Sequence, residues 1–117
     1  LSEIAFDPAN ENVIYLGSDW LWKSQDGGDT WNVILDSIGT YQTVAINPSN
    51  SKEIYVSAGG FLFKSTDAGQ TWQSIPLPEP NSVIPWIEVD WEKRIMYTHI
   101  FSQDLSRNVL GIYKMYF

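Results

Sequence analysis

The pattern S-x-D-x-G-x-T-W occurs twice in this chain, at residues 24–31 (SQDGGDTW) and, 41 positions later, at residues 65–72 (STDAGQTW). Each copy interrupts two runs of alternating apolar residues, which is how a hairpin corner reads in sequence. Gly28 and Gly69 suit a left-handed corner because they carry no Cβ. The carboxylates of Asp26 and Asp67 can accept from backbone N–H groups two or three residues on. They can also accept from the hydroxyls of Ser24 and Thr30, or of Ser65 and Thr71. Trp31 and Trp72 open the return strand and can lay a large ring under the loop. Such a corner needs nothing from outside itself.

The corners sit inside a longer repeat. Residues 4–8 (IAFDP), 13–17 (VIYLG), 20–24 (WLWKS) and 30–35 (TWNVIL) read as four short strands. The order returns at 44–48 (VAINP), 53–56 (EIYV), 61–65 (FLFKS) and after Thr71. The offset is 40 up to Tyr55 and 41 from Phe61, so one residue is inserted near Ala58-Gly59-Gly60, where a turn tolerates it. A period of 40 to 41 residues carrying four strands predicts an all-β fold of antiparallel four-stranded propeller blades.

The segment Pro76-Leu77-Pro78-Glu79-Pro80 is stiff, since Pro fixes φ and restricts its predecessor, and separates the second unit from a third. The third is degenerate. Residues 86–90 (WIEVD), 94–98 (RIMYT) and 111–115 (GIYKM) stand for three strands, with a polar insertion at 102–108 and no third copy of the octapeptide. The expected division is 1–35, 41–76 and 85–117, the last a three-stranded blade without its outer strand, together one partial propeller domain.

The two octapeptides, with Asp7-Pro8-Ala9-Asn10 and Asn47-Pro48-Ser49-Asn50 ahead of an Ile-Tyr pair in each unit, resemble the Asp-box or BNR repeat. That repeat marks xyloglucanase-type glycosidases, sialidases, sortilin-like receptors and photosystem assembly factors. The resemblance implies that each box joins the third and fourth strands of a blade. It also implies an extracellular or periplasmic setting, and that these residues are the C-terminal part of a longer propeller closed by an upstream strand. One such architecture hosts unrelated activities, so the fold alone names none.

Composition narrows the function classes. At 117 residues with 44% apolar and 15% aromatic content, the chain can bury a core. Its net charge of −7 with only seven basic residues speaks against nucleic acid as a partner, because phosphate neutralisation needs Lys and Arg. The chain has no Cys, which removes disulfides, Cys-ligated zinc and thiol chemistry. No apolar run approaches a membrane span, so membrane insertion is not expected. No cofactor is expected.

No catalytic set is assigned. Asp and Gly in a short loop can suggest calcium, but the octapeptide lacks the oxygen spacing of an EF-type loop, so Asp26 and Asp67 are read as structural and no metal is expected. His99 is the one histidine, and no nucleophile motif accompanies it. A sialidase-like site would need an arginine cluster, and the chain has only Arg94 and Arg107. A xyloglucanase-like site would need two carboxylates across a cleft, of which Asp90 or Asp104 could be one. Sugar rings stack on aromatic faces, so Trp86 and Trp91, at connectors, are the ligand-binding candidates. Trp22, Trp31 and Trp72 recur at repeat positions and are assigned to packing between blades.

Two functional readings follow. The first is a ligand-binding or assembly scaffold for a glycan or protein; the second is part of a secreted glycoside hydrolase whose catalytic residues lie largely in other blades. Because blades bury their faces on neighbours, apolar surface is expected on the outward sides of the first and third units. Phe6, Tyr15 or Leu16 are the candidates on the first, and Ile87, Ile95, Tyr97 or Ile112 on the third. An unpaired edge is expected at 112–116. Further blades or a second copy would cover these.

Overall fold

The structure is a computed structural model that describes residues 3–36, 42–77, 82–84, 86–102 and 109–117. The first sheet contains β1 (Glu3–Phe6), β2 (Ile14–Gly17), β3 (Leu21–Ser24) and β4 (Asn32–Leu35) in that spatial order, every pair antiparallel. The second repeats it with β5 (Gln42–Ile46), β6 (Ile54–Ala58), β7 (Phe61–Ser65) and β8 (Gln73–Ile75). β5 lies beside both β1 and the Ile87–Asp90 strand of the third sheet, so the leading strands of the three blades stand side by side. No helix occurs among the described residues.

The third sheet has β9 (Ser82–Val83), β10 (Ile87–Asp90), β11 (Ile95–Ser102) and β12 (Val109–Tyr116). β9 and β10 share one edge of β11, Val83 opposite Phe101 and Ile87 opposite Thr98, so together they act as one interrupted leading strand. β11 and β12 are eight residues each, longer than the sequence pattern suggested, because pairing continues to Ser102 and Val109. The insertion at 103–108, with Asp104 and Arg107, lies outside the described residues.

Turns repeat as faithfully as strands. Between β1 and β2 the amide of Ala9 donates to Asp7 Oδ1 at 2.7 Å, and that of Asn12 to Asn10 Oδ1 at 3.0 Å. Between β5 and β6, Ser49 donates to Asn47 Oδ1 at 2.9 Å and Lys52 to Asn50 Oδ1 at 3.2 Å. These short side chains bond their own turn, the mechanism that makes Asp and Asn turn formers.

The cores lie between blades. One joins Tyr15 and Leu21 of the first blade to Val44, Ile54 and Val56 of the second; the other joins Tyr55 and Leu62 to Ile87 and Met96 of the third. Side chains alternate across a strand, so each sheet carries two apolar faces. This explains why β6 is buried at every position, with a blade on either side. Alternation also corrects the outward surfaces. Tyr15 and Ile87 point into the junctions and are buried, while Leu16 is half-buried; Ile95, on the same face of β11 as Tyr97, is buried as well. Phe6 at 64% exposure, Tyr97 at 39% and Ile112 at 79% do face outward.

Candidate functional site

Each corner closes on its own side chains. In the first, Ser24 Oγ donates to Asp26 Oδ1 and accepts from Gly28 N at 2.8 Å, Thr30 N donates to Asp26 Oδ1 at 2.8 Å, and the Thr30 hydroxyl donates to Asp26 Oδ2. The second repeats every bond with Ser65, Asp67, Gly69 and Thr71. The amide reached is four residues on, one farther than the sequence implied. The Thr hydroxyl and amide, with the Ser hydroxyl, hold both carboxyls down at about 2. Gly28 and Gly69 have φ of +97° and +89°, and the residue before each is also left-handed, including Ala68 at +62°, which the octapeptide did not signal.

That extra left-handed residue turns a carbonyl toward the preceding blade. Lys23 Nζ donates to Ala68 O at 2.9 Å, and Tyr15 OH reaches the same oxygen at 3.4 Å. Trp72 donates from Nε1 to Ile34 O at 3.2 Å across the same junction, while Trp31 donates to Gly28 O within its own corner. The second corner is therefore a clamp on the first blade.

The next junction is built differently, because the third blade has no such corner among its described residues. Tyr55 and Lys64 repeat Tyr15 and Lys23, facing each other across β6 and β7 as the earlier pair does across β2 and β3. The Trp91 and Phe117 rings cover Tyr55 at centroid distances of 5.8 and 4.9 Å, and its buried hydroxyl has no hydrogen-bond partner. Burial, its largest influence, raises that hydroxyl's pKa, and nearby Lys64 offsets part of the rise. Glu53, at the position of Val13, receives a two-pronged hydrogen bond from Arg94 at 2.7 and 2.8 Å and one from Asn47 Nδ2 at 2.8 Å. These bonds, the Arg94 one first, hold the Glu53 carboxyl below its usual range. A cavity of about 250 Å³ remains beside Tyr55, Ile75 and Met115.

The two ligand-binding candidates part company at the ends of β10. Trp91 is packed in the second junction. Trp86 is 44% exposed, lies edge-on to His99 at 5.7 Å, and borders a shallow pocket of about 130 Å³ with Glu88, Tyr97 and Ile112. Thr98 Oγ1 anchors this turn by donating to Trp86 O at 2.7 Å. Asp90 accepts from Lys93 N at 2.9 Å and so caps the β10–β11 turn, and Arg94 is committed to Glu53. Sequence reasoning gave none of Tyr15, Lys23, Glu53 and Arg94 a role between blades. The recurrence of Tyr and Lys at the repeat spacing was the available signal for the first two; nothing local signalled the others.

The pattern that defines Sortilin-Vps10, described as sortilin, neurotensin receptor 3, matches residues 19–110, most of the chain. The chain belongs to the Sortilin-Vps10 family. Its curated relatives include xyloglucanase Xgh74A of Acetivibrio thermocellus, 29% identical over 82% of this chain, and a xyloglucanase of Hypocrea jecorina, 28% identical over 70%. The chain spans only 14% of the length of either. Among solved structures, the GH74 enzyme of Niastella koreensis superposes with a TM-score of 0.78 at 24% identity, covering 97% of this chain and 19% of that one. YCF48 bound to D1 peptide gives 0.64 at 22%, covering 96% and 34%. At these identities the structural matches speak for the propeller fold, which this Sortilin-Vps10 chain shares.

Proposed function

We propose that this chain is a blade-forming segment of a glycoside hydrolase propeller acting on a xyloglucan-type glycan. The similarity to two xyloglucanases, one spanning 82% of the chain, carries this reading over a free-standing scaffold. On this reading the segment supplies framework and a sugar-stacking face rather than the acid and base. A general acid needs a carboxyl whose pKa is raised, whereas Asp26 and Asp67 are held at about 2 and Glu53 is lowered by Arg94; Glu3, which burial pushes up, is engaged by the Val44 amide at 3.2 Å. The Trp86 ring, exposed beside Glu88, is the surface that a pyranose would stack on.

Affinity electrophoresis of the chain through gels containing xyloglucan tests this. Retardation that Trp86→Ala weakens about tenfold and Trp91→Ala leaves alone is expected, with no release of reducing sugar. Migration unaffected by xyloglucan would overturn the reading.

A further inference from the structure

The two junctions treat the same lysine differently. Lys23 and Lys64 hold one repeat position, each opposite a buried tyrosine, Tyr15 or Tyr55, on the neighbouring strand. Each ammonium lies over that ring, at 5.5 and 5.6 Å from its centroid. Lys64 has a carboxylate within reach, that of Glu53 at 3.9 Å. In the first blade the position of Glu53 is taken by Val13. Among the described residues no carboxylate lies within ion-pairing distance of Lys23, and its Nζ donates to the carbonyl of Ala68 at 2.9 Å. Burial holds the Lys23 pKa below the usual lysine value, and the carboxylates of Asp7 and Asp67 act against this from farther away. A cation drawn out of water is costly until an anion pairs with it.

Lys23 also lines a cleft of about 250 Å³, in which Gln25, Asn32 and Ile34 of the first blade face Gly69 and Gln70 of the second. Both walls belong to complete four-stranded blades. Lys23 and Ile34 are half-buried, Gly69 is buried, and the three carboxamide side chains are exposed. Each carboxamide carries two N–H donors. The chain has 14 acidic residues, yet none lines this space. One positive charge among neutral donors suits one negative charge. Pockets for drug-sized ligands measure about 300–1,000 Å³, so this cleft admits a single small molecule or one sugar-sized group.

We propose that this cleft binds a small monocarboxylate, whose oxygens accept from Lys23 Nζ and from the carboxamide N–H groups of Asn32 and Gln70. The ligand does for Lys23 what Glu53 does for Lys64, and it bridges β4 of the first blade to the corner of the second. Multiply charged anions such as phosphate are disfavoured, because Asp7 and Asp67 already set a negative field at Lys23. The corners lie where each leading strand finishes, since Ser24 is opposite Ile14 and Ile14 opposite Phe6. Trp86 precedes its leading strand, β10, and so stands at the other end of its blade. The proposal is independent of the sugar-stacking role.

Amide NMR spectra of the full chain, titrated with sodium acetate, sodium glucuronate or glucose at an ionic strength matched with sodium chloride, test it. Saturable shifts of the Asn32, Gly69 and Gln70 amides are expected with both carboxylates and not with glucose. Tighter binding of glucuronate than of acetate assigns a sugar acid, and equal binding assigns recognition of the carboxylate alone. Lys23→Met should weaken binding at least tenfold. Because that change also removes a contact between blades, Gln70→Glu, at an exposed site, provides a second reading and should weaken it at least tenfold by repulsion. Lys93→Met, an exposed lysine outside the cleft, should bind as the wild type does. The proposal is overturned if no saturable shift occurs, if glucose or sodium chloride alone reproduces the shifts, or if folded Lys23→Met or Gln70→Glu chains keep full affinity.

Discussion

Tyr15 and Tyr55 hold the same place in successive blades and are both buried, yet only Tyr15 has a partner for its hydroxyl, the carbonyl of Ala68 at 3.4 Å. Lys64 stands near Tyr55 without hydrogen-bonding geometry and faces Glu53 at 3.9 Å. A buried hydroxyl without a partner keeps its desolvation cost. Tyr55→Phe should therefore leave stability unchanged or raise it by up to about 1 kcal/mol, while Tyr15→Phe should lower it by about 0.5–1 kcal/mol. Urea unfolding of both variants checks the opposite signs.

The serine of each corner is buried and organises the loop from inside. Ser65 Oγ accepts from Gly69 N at 2.8 Å and donates to Asp67. Ser65→Ala strands the Gly69 amide, and a loss of about 1–3 kcal/mol is expected. Ser65→Thr, which keeps the oxygen, should recover part of it, as read by thermal unfolding.

Acid should loosen the corners. Asp26 and Asp67 have folded pKa values of about 2, below the value of about 3.9 for an unfolded Asp. The unfolded chain thus binds protons first as pH falls. The stability these carboxylates contribute is complete above about pH 4 and is lost progressively towards pH 2. The melting temperature should fall across that window, and less steeply in the Asp26→Asn, Asp67→Asn double variant.

Glycine is needed at both corners, but for one more reason at the second. A Cβ on Gly69 would lie 2.8 Å from Ile34 Cδ1 of the first blade, whereas on Gly28 its nearest contact would be Trp31 at 3.6 Å. Both positions carry a backbone cost of about 1–2 kcal/mol for any L side chain. Gly69→Ala should cost more than Gly28→Ala and should raise amide exchange in β2, whose Tyr15 is buried in the first junction.

The Arg94–Glu53 ion pair ties the second junction beside its apolar core. Removing the Arg94 side chain leaves the Glu53 carboxylate buried with Asn47 and a distant Lys64. Because the Arg94 side chain is 41% exposed, water screens the pair and moderates the loss. Arg94→Ala should destabilise by about 1–2 kcal/mol, and amide exchange should rise first in β10 and β11.

The octapeptides determined their own corners because every bond within them spans at most four residues, and the 40-residue period determined strand order because each hairpin is local. Tertiary structure decided the rest. No local pattern distinguishes Tyr15 from Tyr55, or Lys23 from Lys64, since their partners lie in whatever blade comes next. Trp86 and Trp91 likewise look alike in sequence, five residues apart at the ends of one strand. The Trp91 ring is packed with Tyr55 and Phe117 while that of Trp86 stays open, because strand alternation fixes which face a side chain takes but not what covers it. Glu53 reads as a surface acid in a strand-entry turn. It is buried because the third blade, with no such corner among its described residues, brings Arg94 instead, a match made across 41 residues of chain.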